Sequence, residues 1–198
     1  MTVENSSKHP LTHWTGPFGL PDYSHIKDED FAGVFDEALK SHDAEIESIA
    51  SNTEAATIEN TLAALELCGD ALDRVSSIFW NRSGAHTNET IQALEREIAP
   101  KMARHFSGIS MNARLFKRID DLYQRRSTLN LDSETLRVLE KTWKNFVRAG
   151  AKLDQTGKKR LADINEELAG LGARFGQNVL ADEKDWVLFL DEPDLAGI

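Results

Sequence analysis

The sequence predicts an all-α protein, a multi-helix antiparallel bundle with an extended N-terminal arm and a short unpaired C-terminal strand. Apolar residues recur at steps of three and four along most of the 198 residues, and short polar segments separate these stretches, as between antiparallel helices. Hydrophobic residues make up 40% of the chain and charged residues 28%. This composition supplies enough apolar side chain for a core, so it argues against disorder.

Residues 1–27 are predicted to form an irregular arm, and residues 28–198 a helical domain. Prolines and glycines interrupt the arm, but large apolar side chains lie between them: Leu11, Trp14, Phe18, Leu20 and Tyr23. A free linker would not carry so many apolar side chains. We therefore expect the arm to lie extended across a larger body and to bury them.

The first two predicted helices follow the arm. The apolar stripe of residues 28–49 has carboxylates in its first turn, where they complement the positive end of the helix dipole. Thr57 is expected to cap a second helix with an apolar face over residues 62–79. Gly69 lies within that stripe and is expected to weaken the helix without ending it.

The later helices are predicted from their capping residues. The polar segment 81–88 is expected to break or bend the second helix, and Thr87 to cap the third. Pro100 should kink this third helix because proline lacks an amide donor. Two further caps are predicted, Asn112 and Asp132, and a long helix is expected from about Asp154 to about Leu180. The aromatic residues of these stripes are predicted to be core: Phe31, Phe35, Phe79, Trp143, Phe146 and Phe175.

The end of the chain departs from the helical pattern. Trp186–Leu190 is a β-rich apolar run, and no second strand is found elsewhere in the sequence. A lone strand is unstable in water because its backbone donors and acceptors stay unpaired. We therefore expect the chain to be truncated, with the partners of this strand in a missing part.

Charge and cysteine content exclude several classes of protein. The formal net charge is −10, with acidic residues along the whole chain, so no nucleic-acid partner is expected. No apolar run is long enough to span a bilayer, so no membrane partner is expected either. Residues 1–10 lack the apolar core of a signal peptide. Cys68 is the only cysteine, and its place on an apolar stripe favours a buried small side chain over a reactive thiol. These features predict a cytoplasmic protein.

The sequence offers no catalytic and no metal-binding residue. His9 and His13 have the spacing of the zinc motif HExxH, but Pro10 stands where the glutamate is needed. None of His42, His86 and His105 is preceded at three residues by a carboxylate, as a di-metal helical bundle would require. The closely spaced glycines near residue 172 lie in a helical stripe and do not follow a strand, so a phosphate loop is not indicated.

His86 and Asn88 are the only candidates for a binding role. They lie in the polar bend between two apolar helices. One interpretation is a capping cluster that fixes the bend by hydrogen bonds to the backbone. The other is a patch that faces a substrate channel and contacts peptide.

A set of motifs, in the same order along nearly the whole chain, resembles the N-terminal region of the thimet oligopeptidase-like zinc metallopeptidases. The motifs are Trp14 with the run PFGLP at 17–21, ENT at 59–61, DRV at 73–75, SGAHTN at 83–88, FVRAGA at 146–151 and FGQNVL at 175–180. The AHTN and RAGA segments are more similar to the bacterial peptidyl-dipeptidase branch than to oligopeptidase A.

The resemblance implies a two-part helical peptidase that cleaves short peptides in a deep channel. Zinc is bound there by the two histidines of HExxH and a downstream glutamate, and the N-terminal half forms the channel wall. HExxH is absent from this sequence. Zinc is therefore expected in the full-length parent and not in this chain, which we expect to be inactive alone.

Two further expectations concern partners. Truncation should expose apolar surface through which the isolated chain can self-associate. An alternative that needs no enzymatic parent is a self-contained helical module that binds a protein partner, in which residues 186–190 would pack within one monomer.

Overall fold

The structure is a computed structural model that describes residues 9–195, and within this range it is helical with no strand. The predicted all-α class is confirmed. The helices are α1 (Asp30–Ala50), α2 (Ala64–Leu67), α3 (Asp70–Ala85), α4 (Glu89–Ser110), α5 (Ala113–Arg125), α6 (Ser133–Arg148) and α7 (Gln155–Asp185). None of the described helices combines the length and apolarity that crossing a bilayer requires.

The main core lies where α1, α3 and α4 meet. The Phe79 ring packs edge-to-face against both Phe31, at 5.2 Å between ring centroids, and Phe35, at 5.4 Å. All three rings are fully buried, as the helical stripe predicted. Leu11 and Ile26 are buried in the same cluster, so residues that precede α1 take part in the core.

A buried arginine on α5 holds the loop between α1 and α2. Arg118 donates to the carbonyls of Asn52, at 2.7 Å, and Glu54, at 2.9 Å. It also donates to Asn60 Oδ1 at 2.7 Å and Thr61 Oγ1 at 3.2 Å. A buried guanidinium needs such partners, because its five N–H donors lose their water on burial. Arg118 thereby fixes this loop against α5.

The N-terminal arm is only partly buried. Leu11 is inaccessible to solvent, and Trp14 packs at the edge of the core. Phe18 is fully exposed, and Leu20 and Tyr23 are more than half exposed. The expectation that all five apolar side chains of the arm are buried is therefore wrong for these three. Short helical turns at Pro17–Gly19 and Tyr23–His25 replace the predicted extended path.

The predicted second helix is divided at Gly69. Thr57 caps it, with Oγ1 accepting from the Asn60 amide at 3.1 Å, but it opens with a π-helical turn, Ile58–Ala63. The chain then breaks between α2 and α3, where Gly69 has φ of +87°. A Cβ on Gly69 would lie 3.1 Å from the His42 ring. Gly69 therefore ends the helix because it combines a left-handed backbone with a close approach to α1.

The bend between α3 and α4 is shorter than expected. α3 continues to Ala85, so the break predicted over residues 81–88 is confined to residues 86–88. Asn88 caps α4 and Thr87 does not: Asn88 Oδ1 accepts from the Ile91 amide at 2.9 Å. α4 runs without interruption through Pro100. The predicted caps Asn112 and Asp132 are confirmed, and Asp154 caps α7 in the same way; each accepts from first-turn amides.

The last helix, α7, makes several polar contacts with α4. Gln177 Nε2 donates to the Gln92 carbonyl at 2.9 Å, and Asn165 Nδ2 donates to Ser107 Oγ at 3.1 Å. Ala173 is the only buried residue assigned to α7 in the part of the chain that the structure describes. The predicted core role of Phe175 is therefore wrong, since 71% of this residue is exposed.

Candidate functional site

The two predicted site residues lie in one polar cleft of about 330 Å³ at the α3–α4 bend. Lys27, Asp28 and Glu29, which precede α1, form the opposite wall. The cleft exists because α3 ends one residue before His86 and α4 begins one residue after Asn88. His86 and Asn88 are thus brought together, as the sequence suggested.

Asn88 has a structural role in this cleft. Its Oδ1 caps α4, while its Nδ2 donates to Asp28 Oδ2 at 2.7 Å. Asp28 Oδ1 accepts from Arg82 Nη1 at 2.5 Å, and these two side chains are each about three-quarters buried or more. One carboxylate therefore holds the end of α3 and the start of α4 against the beginning of α1. This fits the capping interpretation for Asn88.

His86 has a different environment. Its backbone amide donates to the Arg82 carbonyl at 2.9 Å and closes the last turn of α3. The residue itself is exposed on the cleft wall. A neutral imidazole can donate one hydrogen bond and accept another, so His86 has the chemistry to contact a polar ligand.

Asp28 and Arg82 belong to this cleft and were not among the predicted site residues. They are 54 positions apart, and Asp28 is 60 positions from Asn88. No local spacing links residues at such separations. The only sequence signal was the unusual density of polar residues at the bend.

A larger cavity of about 540 Å³ lies elsewhere, between α1, α4 and α7. Three carboxylates line it, Asp43, Glu97 and Glu166, with two cations, Lys101 and Arg104. Glu97 pairs with Lys101 and Glu166 with Arg104, so most of this charge is neutralised by neighbouring side chains. Its size alone does not make it the better candidate site.

The described residues do not fit a zinc site. Within residues 9–195, no three histidine, cysteine or acidic side chains converge in a way that could hold a metal ion. His9 instead accepts from the Leu11 amide through Nδ1, at 3.2 Å. The side chains present therefore do not supply the ligand set that the family resemblance implies.

Cys68 is half-buried at the break between α2 and α3. Its thiol donates to the Leu65 carbonyl at 3.0 Å. Burial, with a smaller contribution from the Glu45 carboxylate, raises the pKa of this thiol. A thiol with a raised pKa is a poor nucleophile at neutral pH, which agrees with the inert role predicted for Cys68.

More than half of the large apolar residues that the structure describes as exposed lie between Leu168 and Leu190, toward the C-terminal end. Four exposed residues form one stripe along α7, named here the α7 apolar face: Leu168, Leu171, Phe175 and Val179. Trp186–Leu190 follows directly and is also exposed, with no strand partner in the described part of the chain. A stripe of large apolar side chains in contact with water is typical of an interaction surface.

Comparison with known proteins relates the chain to peptidases. It is 38% identical over 189 residues to dipeptidyl carboxypeptidase of Escherichia coli, an alignment that covers 95% of this chain and 28% of the relative. It is 23% identical over 183 residues to oligopeptidase A of the same organism, covering 92% of the chain and 27% of the relative. Mitochondrial intermediate peptidase of Rattus norvegicus is 24% identical over 161 residues, an alignment that covers 81% of this chain and 22% of the relative.

The chain thus spans 22–28% of the length of these relatives, and the matched region is their N-terminal part. No family model matches the chain. The higher identity to dipeptidyl carboxypeptidase than to oligopeptidase A confirms the branch that the AHTN and RAGA segments indicated.

Proposed function

Because the chain is a relative of the N-terminal part of the dipeptidyl carboxypeptidase and oligopeptidase A peptidases, we propose that it is the helical channel wall of a peptidase that cleaves short peptides. In this role it shapes the space that substrates enter and contributes no catalytic group. Peptidyl-dipeptidase activity is the proposed reaction, since the identity is higher to dipeptidyl carboxypeptidase.

The observation that carries this proposal is the orientation of α7. The helix uses polar side chains such as Gln177 and Asn165 to contact α4, and it turns Leu168 and Phe175 toward solvent. Amphipathic helices normally do the opposite, because burial of an apolar side chain is worth about 1.5–3 kcal/mol. The arrangement is favourable when further protein covers the α7 apolar face.

The remaining part of the peptidase is proposed to bind zinc. The sequence lacks HExxH, and the described side chains do not fit a metal ion. A zinc ion in that part would activate the attacking water, which is the chemistry zinc supplies in peptidases. The chain described here would position peptide and exclude folded proteins.

His86 is the residue proposed to contact substrate in the α3–α4 cleft. Its imidazole is exposed there, whereas the carboxamide of Asn88 is occupied by Asp28 and the start of α4. An imidazole can bond the carbonyl or the terminal carboxylate of a short peptide. Asn88 and Arg82 would act only by holding the bend in place.

Two further proposals concern the isolated chain. It should self-associate through the α7 apolar face, because water otherwise contacts Leu168, Leu171 and Phe175. A cytoplasmic location stays a prediction, which cell fractionation would check.

A chimera tests the proposed function. The aligned region of the Escherichia coli dipeptidyl carboxypeptidase is replaced by this chain, and hydrolysis of a short peptide is measured. We expect the chimera to bind zinc and to cleave the peptide, and we expect the chain alone with added zinc to cleave nothing. Hydrolysis by the pure chain would contradict the proposal, as would a folded, zinc-loaded chimera without activity.

A further inference from the structure

A row of four side chains crosses the junction of α1, α4 and the α2–α3 break. His105 Nδ1 lies 3.1 Å from Asp43 Oδ1, and His105 Nε2 lies 3.0 Å from His42 Nδ1. His42 Nε2 lies 3.3 Å from Cys68 Sγ, and this thiol is 3.0 Å from the Leu65 carbonyl oxygen. Only 8% of His42 and 5% of the His105 side chain are exposed. The row is a continuous hydrogen-bonded chain whose two histidines are buried, whose Asp43 end is 68% exposed and whose Cys68 end is half-buried.

The number of protons available limits this chain. It contains four contacts, and each needs one proton. Two neutral imidazoles and one thiol carry three protons, and the ionised Asp43 carboxylate carries none. One contact therefore lacks a proton when both histidines are neutral. A single added proton completes the chain.

A second added proton has the opposite effect. With both imidazoles protonated, all four ring nitrogens carry hydrogen. His105 Nε2 and His42 Nδ1 would then face each other as two donors at 3.0 Å, with two positive charges in the interior. The hydrogen bond between His105 and His42 cannot form in this state.

The His42 ring also packs against the break itself. A Cβ on Gly69 would lie 3.1–3.3 Å from three atoms of this ring, so the ring lies flush against the Gly69 backbone. The Gly69 amide donates to Glu45 Oε2 at 2.7 Å. Movement of the His42 ring would therefore release the left-handed turn from which α3 starts.

We propose that Asp43, His105, His42 and Cys68 form an acid-released latch that holds the α2–α3 break against α1 and α4. The latch stays closed with none or one added proton and opens when both imidazoles are protonated. Since α3 carries Arg82 and His86 at its far end, opening would also shift one wall of the α3–α4 cleft. The distances among these four side chains support the latch, and it does not depend on the proposed peptidase role.

Several charged groups surround the latch. They are Asp43 and Glu45 on α1, Glu66 on α2, Asp73 on α3, Glu97, Lys101 and Arg104 on α4, and Glu166 on α7. The three on α4 and Glu166 are paired with opposite charges, which limits their net effect. Asp43 is the carboxylate in direct contact with a ring, and it favours the protonated form of His105.

The direction of the pH effect follows from His105. Burial lowers the pKa of His105, the His42 ring acts in the same direction, and Asp43 only partly opposes them. The folded state then binds the proton less well than the unfolded state, whose histidine pKa is about 6.5. The stability that neutral His105 provides is therefore complete above about pH 6.5, and it is lost as the pH falls through its lower folded pKa, when the pair takes up the second proton and the latch opens.

NMR of the ring nitrogens tests the latch on the purified chain, titrated from about pH 7.5 to about pH 4. We expect the His105 ring signals to change in two steps, as the hydrogen-bonded chain through His42 is first completed and then broken, with the exposed His86 ring as a reference. The Gly69 amide should lose hydrogen-exchange protection at least tenfold with the second step. Independent titration of the two rings, or Gly69 protection that does not change, would overturn the proposal.

Variants separate the latch from general acid effects. His105→Gln keeps a side chain that can donate and accept but cannot bind a proton, so we expect much of the fall in the urea midpoint between about pH 7 and pH 5 to disappear. His86→Gln should keep the wild-type pH dependence. An unchanged pH dependence in His105→Gln would contradict the latch.

Cys68→Ala gives a second test that does not require His105→Gln to fold. It leaves two contacts and two protons, so the first added proton no longer fills a vacant contact. We expect the first titration step to move to lower pH. A first step at the wild-type pH would also overturn the proposal.

Discussion

The core around Phe79 and the surface of α7 have the same apolar spacing and opposite degrees of burial. Phe31, Phe35 and Phe79 are fully enclosed by α1, α3 and α4. On α7, Leu168 and Phe175 occupy equivalent positions of a helical stripe and are mostly exposed. The difference teaches that periodicity identifies which face of a helix is apolar, but not which chain or segment covers it.

The two regions also differ in what attaches them to the rest of the molecule. The core is held by aromatic packing, with ring centroids 5.2–5.4 Å apart. α7 is held by hydrogen bonds and ion pairs to α4, including Arg104 with Glu166 at 2.5 Å. Exposed ion pairs contribute little to stability. We therefore expect α7 to be the less stable of the two regions in the isolated chain.

The largest expected difference is between two phenylalanine truncations. Phe79→Ala should lower the free energy of unfolding by about 3–5 kcal/mol, because it leaves a cavity among buried rings. Phe175→Ala should change it by less than about 0.5 kcal/mol, because the side chain is exposed. Urea unfolding of both variants checks this. Equal losses would mean that α7 is buried in the isolated chain.

Two glycine substitutions should have effects of opposite sign. Gly69→Ala should destabilise by about 1–3 kcal/mol, since φ is +87° and the new Cβ would meet the His42 ring. Gly33→Ala, in the interior of α1 with open space around its Cβ position, should stabilise by about 0.5–1 kcal/mol. Thermal unfolding distinguishes them. A neutral Gly69→Ala would show that the break tolerates another backbone geometry.

A smaller loss is expected at the α3–α4 bend. Asn88→Ala removes the cap of α4 and one partner of Asp28, which should cost about 1 kcal/mol. Thr87→Ala is the matched control, because the Thr87 hydroxyl is buried with no hydrogen-bond partner in the described residues. Urea unfolding should therefore show a clear loss for Asn88→Ala alone. A larger loss of stability for Thr87→Ala than for Asn88→Ala would show that Thr87 caps α4, as the sequence suggested.

The smallest effect on stability should accompany a large effect on association. Phe175→Asp should change the free energy of unfolding by less than about 0.5 kcal/mol. It should also reduce self-association, because it places a charge on the α7 apolar face. Analytical ultracentrifugation compares it with Phe18→Asp, which alters another exposed phenylalanine away from α7. If the wild-type chain is monomeric at high concentration, the self-association proposal is wrong.

Local chemistry explains which parts of the fold were predictable. Asn112 and Asp132 cap their helices as expected, because a cap depends on amides two or three residues away. The break at Gly69 was missed because the cause is His42, on another helix. A glycine within an apolar stripe gives no sign of such a contact.

Long-range contacts explain what was missed at the candidate site. His86 and Asn88 were found because they are close together in a polar bend. Asp28 was missed because its partners, Arg82 and Asn88, follow 54 and 60 positions later. The exposure of Phe175 was also unpredictable, because a single chain's pattern is the same whether its partner surface is present or not.

The most direct test of the central claim compares one substitution in two contexts. Phe175→Asp is made in the isolated chain and in the chimera with Escherichia coli dipeptidyl carboxypeptidase, with Phe18→Asp as control in both, and the unfolding midpoint is measured. If the rest of the peptidase covers the α7 apolar face, Phe175→Asp lowers the midpoint in the chimera and leaves the isolated chain unchanged. Equal midpoints for the Phe175→Asp and Phe18→Asp chimeras would contradict the claim.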